Sequence, residues 1–126
     1  MFGIVGGMRK NLISRFHRLA WVSYVLALIV SSLIPVDFSQ APEYSDKIMH
    51  AAAYCLLVLF CPPAWLRSAG VMLGFAAGLG IVLEIAQGIL PTGRFMDPWD
   101  ALANALGACL GLGLMLAARR GSGGRS

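Results

Sequence analysis

The chain has 126 residues, 58% of them hydrophobic and only 13% charged, with a formal net charge of +4. A soluble domain of ordinary composition is about 25% charged, so this composition argues against a soluble enzyme and for a membrane protein. The length allows one domain, and because the basic excess gathers at the two ends, no nucleic-acid partner is expected.

Residues 1–18 form a basic N-terminal segment carrying Arg9, Lys10, Arg15 and Arg18. A first apolar span follows over 19–36. It exceeds the roughly 7–15 apolar residues of a signal peptide and no A-x-A-like site follows it, so a retained anchor is expected. A second span covers 48–66, with Pro62 and Pro63 bending it or ending it early. The third covers 68–90 and is broken only by Glu84; the fourth covers 98–118 and is closed by Arg119 and Arg120. Each approaches the roughly 20 apolar residues that cross a bilayer. The reading is all-α: an integral membrane bundle of four transmembrane helices over 19–118, followed by a disordered basic tail over 119–126. Cys55, Cys61 and Cys109 lack any metal or CxxC spacing and read as small apolar residues. Trp21, Trp65 and Trp99 lie near span ends and read as interfacial belt residues.

Eight of the ten lysines and arginines then fall on one side of the membrane. Only Lys47 and Arg94 fall on the other, which puts both termini in the cytoplasm. The remaining polar residues collect at the outer end. Asp46, Lys47, His50 and Tyr54 share an arc of about 100° on the second helix. Glu84 and Gln87 are i, i+3 neighbours near the end of the third, and Asp100 and Asn104 are i, i+4 neighbours at the start of the fourth. Membrane-embedded ionisable groups normally face the bundle interior and find partners. Lys47 stands in a first helical turn, where the macrodipole disfavours a cation, so a carboxylate or an anionic ligand is its expected partner. Tyr54 and Asn104 read as structural hydrogen-bonding residues. Two rows of small residues, Gly70/Gly74/Gly78 and Gly107/Gly111, predict close helix packing within the chain or between copies, so a homodimer through either row is expected.

The residues S-D-K-x-x-H-x-x-x-Y (Ser45 to Tyr54), E-x-x-Q with a following Arg (Glu84, Gln87, Arg94) and D-x-x-D-x-x-x-N-x-x-G-x-x-x-G (Asp97 to Gly111) occur in that order. In this the chain resembles the VanZ-like family of small bacterial integral membrane proteins, over about residues 19–118. The resemblance implies a multi-pass protein of the bacterial cytoplasmic membrane and the cell envelope. The family's name implies a link to glycopeptide tolerance. Its recurring polar positions fall on Asp46, Lys47, His50, Glu84, Gln87, Arg94, Asp100 and Asn104.

Three functions compete. In the first, these eight residues bind an anionic envelope lipid or lipid-linked precursor: Lys47 and Arg94 hold its phosphate or carboxylate, and an apolar slot between spans two, three and four takes its tail. In the second, the cluster is an interhelical network in a scaffold subunit of an envelope complex. In the third, His50 is a general base with Asp46 and Glu84 beside it. No nucleophile motif accompanies it, and one histidine among scattered acids is a weak metal pattern, so neither cofactor nor metal is expected.

Overall fold

The structure, a computed structural model, describes residues 2–35, 37, 39–65 and 68–124. Its elements are four helices, α1 (Phe2–Leu33), α2 (Ser45–Leu59), α3 (Ala69–Ile89) and α4 (Pro98–Gly123). Among the described residues there is no strand. Val36, Leu66, Arg67 and Arg125, which bounded or oriented the expected spans, lie outside the described residues.

Two boundaries differ from expectation for clear reasons. The basic segment is helical: α1 is a single helix of 32 residues, about 48 Å at 1.5 Å per residue. No proline or acidic residue interrupts it. At the other end α4 runs through Arg119 and Arg120 to Gly123, so the helix takes in part of the tail expected to be disordered. The second expected span is shortened the other way. α2 stops at Leu59, just before Pro62 and Pro63. Its 15 residues cover about 22 Å, against a hydrocarbon core of about 30 Å. Three helices are therefore long and apolar enough to cross a membrane, within Gly6–Leu33, Ala69–Ile89 and Pro98–Gly123.

Their outer faces fit that environment. Leu26 and Val30 of α1, Ile81, Val82 and Ile85 of α3, and Leu102, Leu106 and Leu110 of α4 are all exposed. So large an apolar surface has no place in water. The inner faces carry small and polar residues instead: α4 buries Asp100, Ala103, Asn104, Gly107, Ala108 and Gly111 along one stripe.

That stripe fixes the architecture. α2 and α4 lie side by side and parallel, and their backbones touch. A Cβ on Gly107 would come within 2.0 Å of the Ala51 carbonyl oxygen, and one on Gly111 within 2.3 Å of that of Cys55. The Gly107/Gly111 row is therefore occupied inside the chain by α2. On α3, Gly74 and Gly78 have no neighbour within 4 Å of a Cβ position. α3 returns antiparallel to α4, and Gly80 brings its backbone against Asn104 and the Tyr54 hydroxyl.

α1 is held differently. His17 Nε2 donates to the Phe60 carbonyl (2.9 Å), Trp21 Nε1 to that of Leu57 (2.8 Å) and the Tyr24 hydroxyl to that of Ala53 (2.8 Å). Trp21 also packs edge-on against Trp65, with centroids 5.6 Å apart. Cys55 and Cys61 are buried as expected, whereas Cys109 is exposed.

Candidate ligand site at the helix ends

The parallel pairing brings the N-termini of α2 and α4 together, and the end of antiparallel α3 joins them. α4 begins at Asp97, whose Oδ1 accepts from the Trp99 backbone N–H (2.9 Å), with Pro98 at the first helical position. This is a side-chain cap followed by the residue best suited to a first turn. α2 lacks a side-chain cap: Tyr44 takes that position in the left-handed region, at φ 65°. Asp46 supplies an acid in its first turn.

Lys47 is the centre of the cluster. Its ammonium donates to Asp46 Oδ2 (3.0 Å), to Asp97 Oδ2 (2.5 Å) and to Asp100 Oδ1. An ammonium has three protons to donate, and three carboxylates take them. The expectation that Lys47 meets a carboxylate is met three times over. All three protons are thereby engaged within the protein. The Lys47 ammonium, with the Trp99 N–H behind it, holds the Asp97 carboxyl below its ordinary range.

His50 lies one turn along. Asn104 Oδ1 accepts from His50 Nδ1 at 3.0 Å. A carbonyl oxygen only accepts, so the bond places a proton on Nδ1. Nε2 is 3.4 Å from Asp100 Oδ2. Glu84 reaches the cluster from α3 by accepting the Asp97 backbone N–H at 3.0 Å. Glu84 and Asp100 are each 4% exposed and Asn104 3%, so these are interior polar groups and not solvated helix ends. Six of the eight expected residues thus share one cluster: Asp46, Lys47, His50, Glu84, Asp100 and Asn104.

Gln87 and Arg94 make their hydrogen bonds outside it. Gln87 Nε2 donates to the Ser32 carbonyl (2.7 Å) and Arg94 to that of Ile34 (3.4 Å). Both carbonyls belong to the end of α1, where no helical partner remains for them. The site also contains residues absent from the expected set. Asp97 joins all three packed helices through Lys47, Glu84 and Trp99, and the D-P pair opening an apolar run is the cap signature that marks it. His17, Trp21 and Tyr24 recur at i, i+4 and i+7, a spacing that puts three donors on one face of α1.

The seam between α1 and α2 has two hollows. At the cluster end a cleft of about 130 Å³ is lined by Leu28, Ser31, Ser32, Asp46, Met49, His50, Ala53, Tyr54 and Arg94. Farther along, an apolar groove of about 360 Å³ is lined by His17, Ala20, Trp21, Tyr24, Leu56 and Phe60. These two hollows run along α1, whereas the slot was expected between α2, α3 and α4.

Asp46, His50 and Asp100 also offer three donor atoms within 4.8 Å of one another, a set able to hold a divalent ion. The Lys47 ammonium already bonds both carboxylates of that set.

No curated protein and no solved structure matches this chain. A family model described as VanZ/LLP1 matches residues 9–119, a stretch that takes in all four helices in large part and every residue of the cluster. By that match across most of its length, the chain belongs to the VanZ/LLP1 family.

Proposed function

We propose that the protein binds a phosphate-bearing envelope lipid along the α1–α2 seam, in the bacterial cytoplasmic membrane, with the cluster end toward the outer leaflet. The observation that carries this reading is the order of the two hollows along one seam. A cleft whose lining mixes apolar residues with Ser31, Ser32, Asp46, His50 and Arg94 stands at one end, and an apolar groove follows it toward the far end of α2. From His50 to Val58 along α2 is about 12 Å, within reach of an acyl chain whose head occupies the cleft. Arg94 binds the phosphate. Among the described residues its one hydrogen bond is the long one to Ile34, so most of its five donors remain to be used. Lys47 organises the acids.

The cleft is small beside the roughly 300–1,000 Å³ of sites for drug-sized ligands. It suits a compact head, or only the phosphates of a lipid-linked precursor whose sugar stays outside. A role in glycopeptide tolerance belongs to the second case. The eight polar residues then divide into Arg94, Asp46 and His50 at the ligand and the others as support. A homodimer, where one forms, uses the open Gly70/Gly74/Gly78 row.

Native mass spectrometry of the detergent-purified protein with added phospholipid tests the reading. Saturable binding of one lipid, weakened at least about tenfold by Arg94→Ala, is the expected result; a lost charge-assisted contact is of that size. No saturable binding, or binding that Arg94→Ala leaves unchanged, overturns it.

The scaffold reading draws on a different observation: Lys47 spends every proton on the protein itself. In that case added lipid leaves Tm unchanged while loss of Lys47 lowers it. The acid–base enzyme reading is weakened because both His50 ring nitrogens face protein acceptors.

A further inference from the structure

We infer that the lipid head taken by this cleft carries a protonated amine beside its phosphate, as phosphoethanolamine does, with Asp46 as the amine's acceptor. The inference rests on the lipid-binding reading above and specifies its ligand.

Charge balance is the first ground. Asp46, Asp97 and Asp100 bond Lys47, Glu84 joins them through the Asp97 N–H, and Arg94 lines the cleft with Asp46: four carboxylates against two permanent cations. The site is formally −2 with His50 neutral and −1 with it protonated, negative in either state. Lys47 is fully engaged, so a head bearing only negative charge meets one guanidinium and a surplus of acids. Coulomb repulsion of that kind is strong where water is scarce. A head that brings its own ammonium reverses the sign of half the interaction.

Unmet hydrogen bonding is the second ground. Asp46 lines the cleft, and while its Oδ2 accepts from Lys47, its Oδ1 is buried with no partner among the described residues. A buried carboxylate oxygen without a donor is costly and rare. Tyr54 lines the same cleft, is only 2% exposed, and its hydroxyl also has no partner. The cleft therefore holds one underused cation, Arg94, and one carboxylate oxygen short of a donor. A phosphate and an ammonium joined by a two-carbon linker answer both. A glycerol head offers Asp46 only neutral hydroxyls, which make weaker bonds to a carboxylate.

Competition in native mass spectrometry tests this on the unaltered protein, with matched acyl chains on phosphatidylethanolamine and phosphatidylglycerol. The expected result is a preference of at least about tenfold for the ethanolamine head. Asp46→Asn, with its fold checked by Tm, brings the two heads to within about twofold while Arg94→Ala weakens both. Equal or tighter binding of phosphatidylglycerol overturns the inference and leaves the lipid-binding reading standing. An ethanolamine preference that survives Asp46→Asn overturns the role of Asp46. Absence of saturable binding by either lipid removes the underlying reading itself.

Discussion

Gly107→Ala is the sharpest perturbation of this fold. The added Cβ would lie 2.0 Å from the Ala51 carbonyl oxygen and 2.7 Å from its carbonyl carbon and Cα. These are backbone atoms in mid-helix, so no rotamer change relieves the clash. Restoring an ordinary contact of 3.4 Å requires about 1.4 Å of separation between α2 and α4. The consequence reaches the site, because His50 stands one residue before Ala51. Its 3.0 Å bond to Asn104 spans the same two helices and does not survive a shift of that size. Overpacking of a close-packed contact costs about 1–3 kcal/mol. At about 3–5 °C per kcal/mol for a chain of this length, Tm falls by roughly 3–15 °C. The assay is thermal unfolding in a fixed detergent, followed by Trp fluorescence. Gly78→Ala on α3 is the control, since its Cβ meets nothing within 4 Å. It is expected to be neutral or to stabilise by up to about 1 kcal/mol through helix propensity. A Gly107→Ala protein with unchanged Tm, or one no less stable than Gly78→Ala, refutes the α2–α4 contact and the geometry of the site with it.

Lys47→Met leaves three carboxylates without their shared cation and is expected to cost about 2–3 kcal/mol, somewhat less than for a fully buried pair. Combined with Asp97→Asn the loss is smaller than the sum of the two, which a double-mutant cycle in thermal unfolding measures. Glu84→Ala removes the acceptor of the Asp97 N–H and costs about 1–3 kcal/mol, whereas Glu84→Gln keeps an acceptor oxygen and most of the stability; equal Tm values for the two contradict the bond. The depressed Asp97 carboxyl gives a pH dependence of known sign. The stability it contributes is present above the ordinary Asp value of about 4 and is lost as pH falls below that and the folded group protonates. Tm measured from pH 6 to 3 should fall toward the acid end, and Asp97→Asn should flatten part of that slope.

Much of the site was legible in the sequence because helical phase assigns faces. Asp46, Lys47, His50 and Tyr54 had to share one side of α2, and Asp100 and Asn104 one side of α4. Embedded charges had to face inward. What phase does not assign is a partner. Gln87 and Arg94 stand at the same end as the cluster, yet both bond to the end of α1, because the carbonyls of a helix terminus attract any donor in reach. Asp97 was visible within a motif, and its role as a joint emerges only when α2 and α3 are packed around it. The length of α2 was misjudged because hydropathy continues through Pro62 and Pro63 while helical geometry does not. The open α1–α2 seam was invisible for a related reason. Four apolar spans do not reveal which neighbour packs tightly, and α1 turns out to meet α2 largely through three polar side chains.

The glycines of α4 connect these observations. Gly107 and Gly111 accept only a backbone at their surface, and α2 supplies it in parallel register, Ala51 over Gly107 and Cys55 over Gly111. Parallel register sets two helix N-termini side by side, each equivalent to roughly half a positive charge. Acids are stable there, and Asp46, Asp97 and Asp100 occupy the three places. Three acids so close would repel one another, so a cation is needed among them. Lys47, unfavourable for its own helix, is the residue whose reach satisfies all three. The lysine that looked misplaced in the first turn of α2 is thus a consequence of the packing contact one and two turns below it, and a ligand at this end meets a site whose charge was set by helix packing before any ligand arrived.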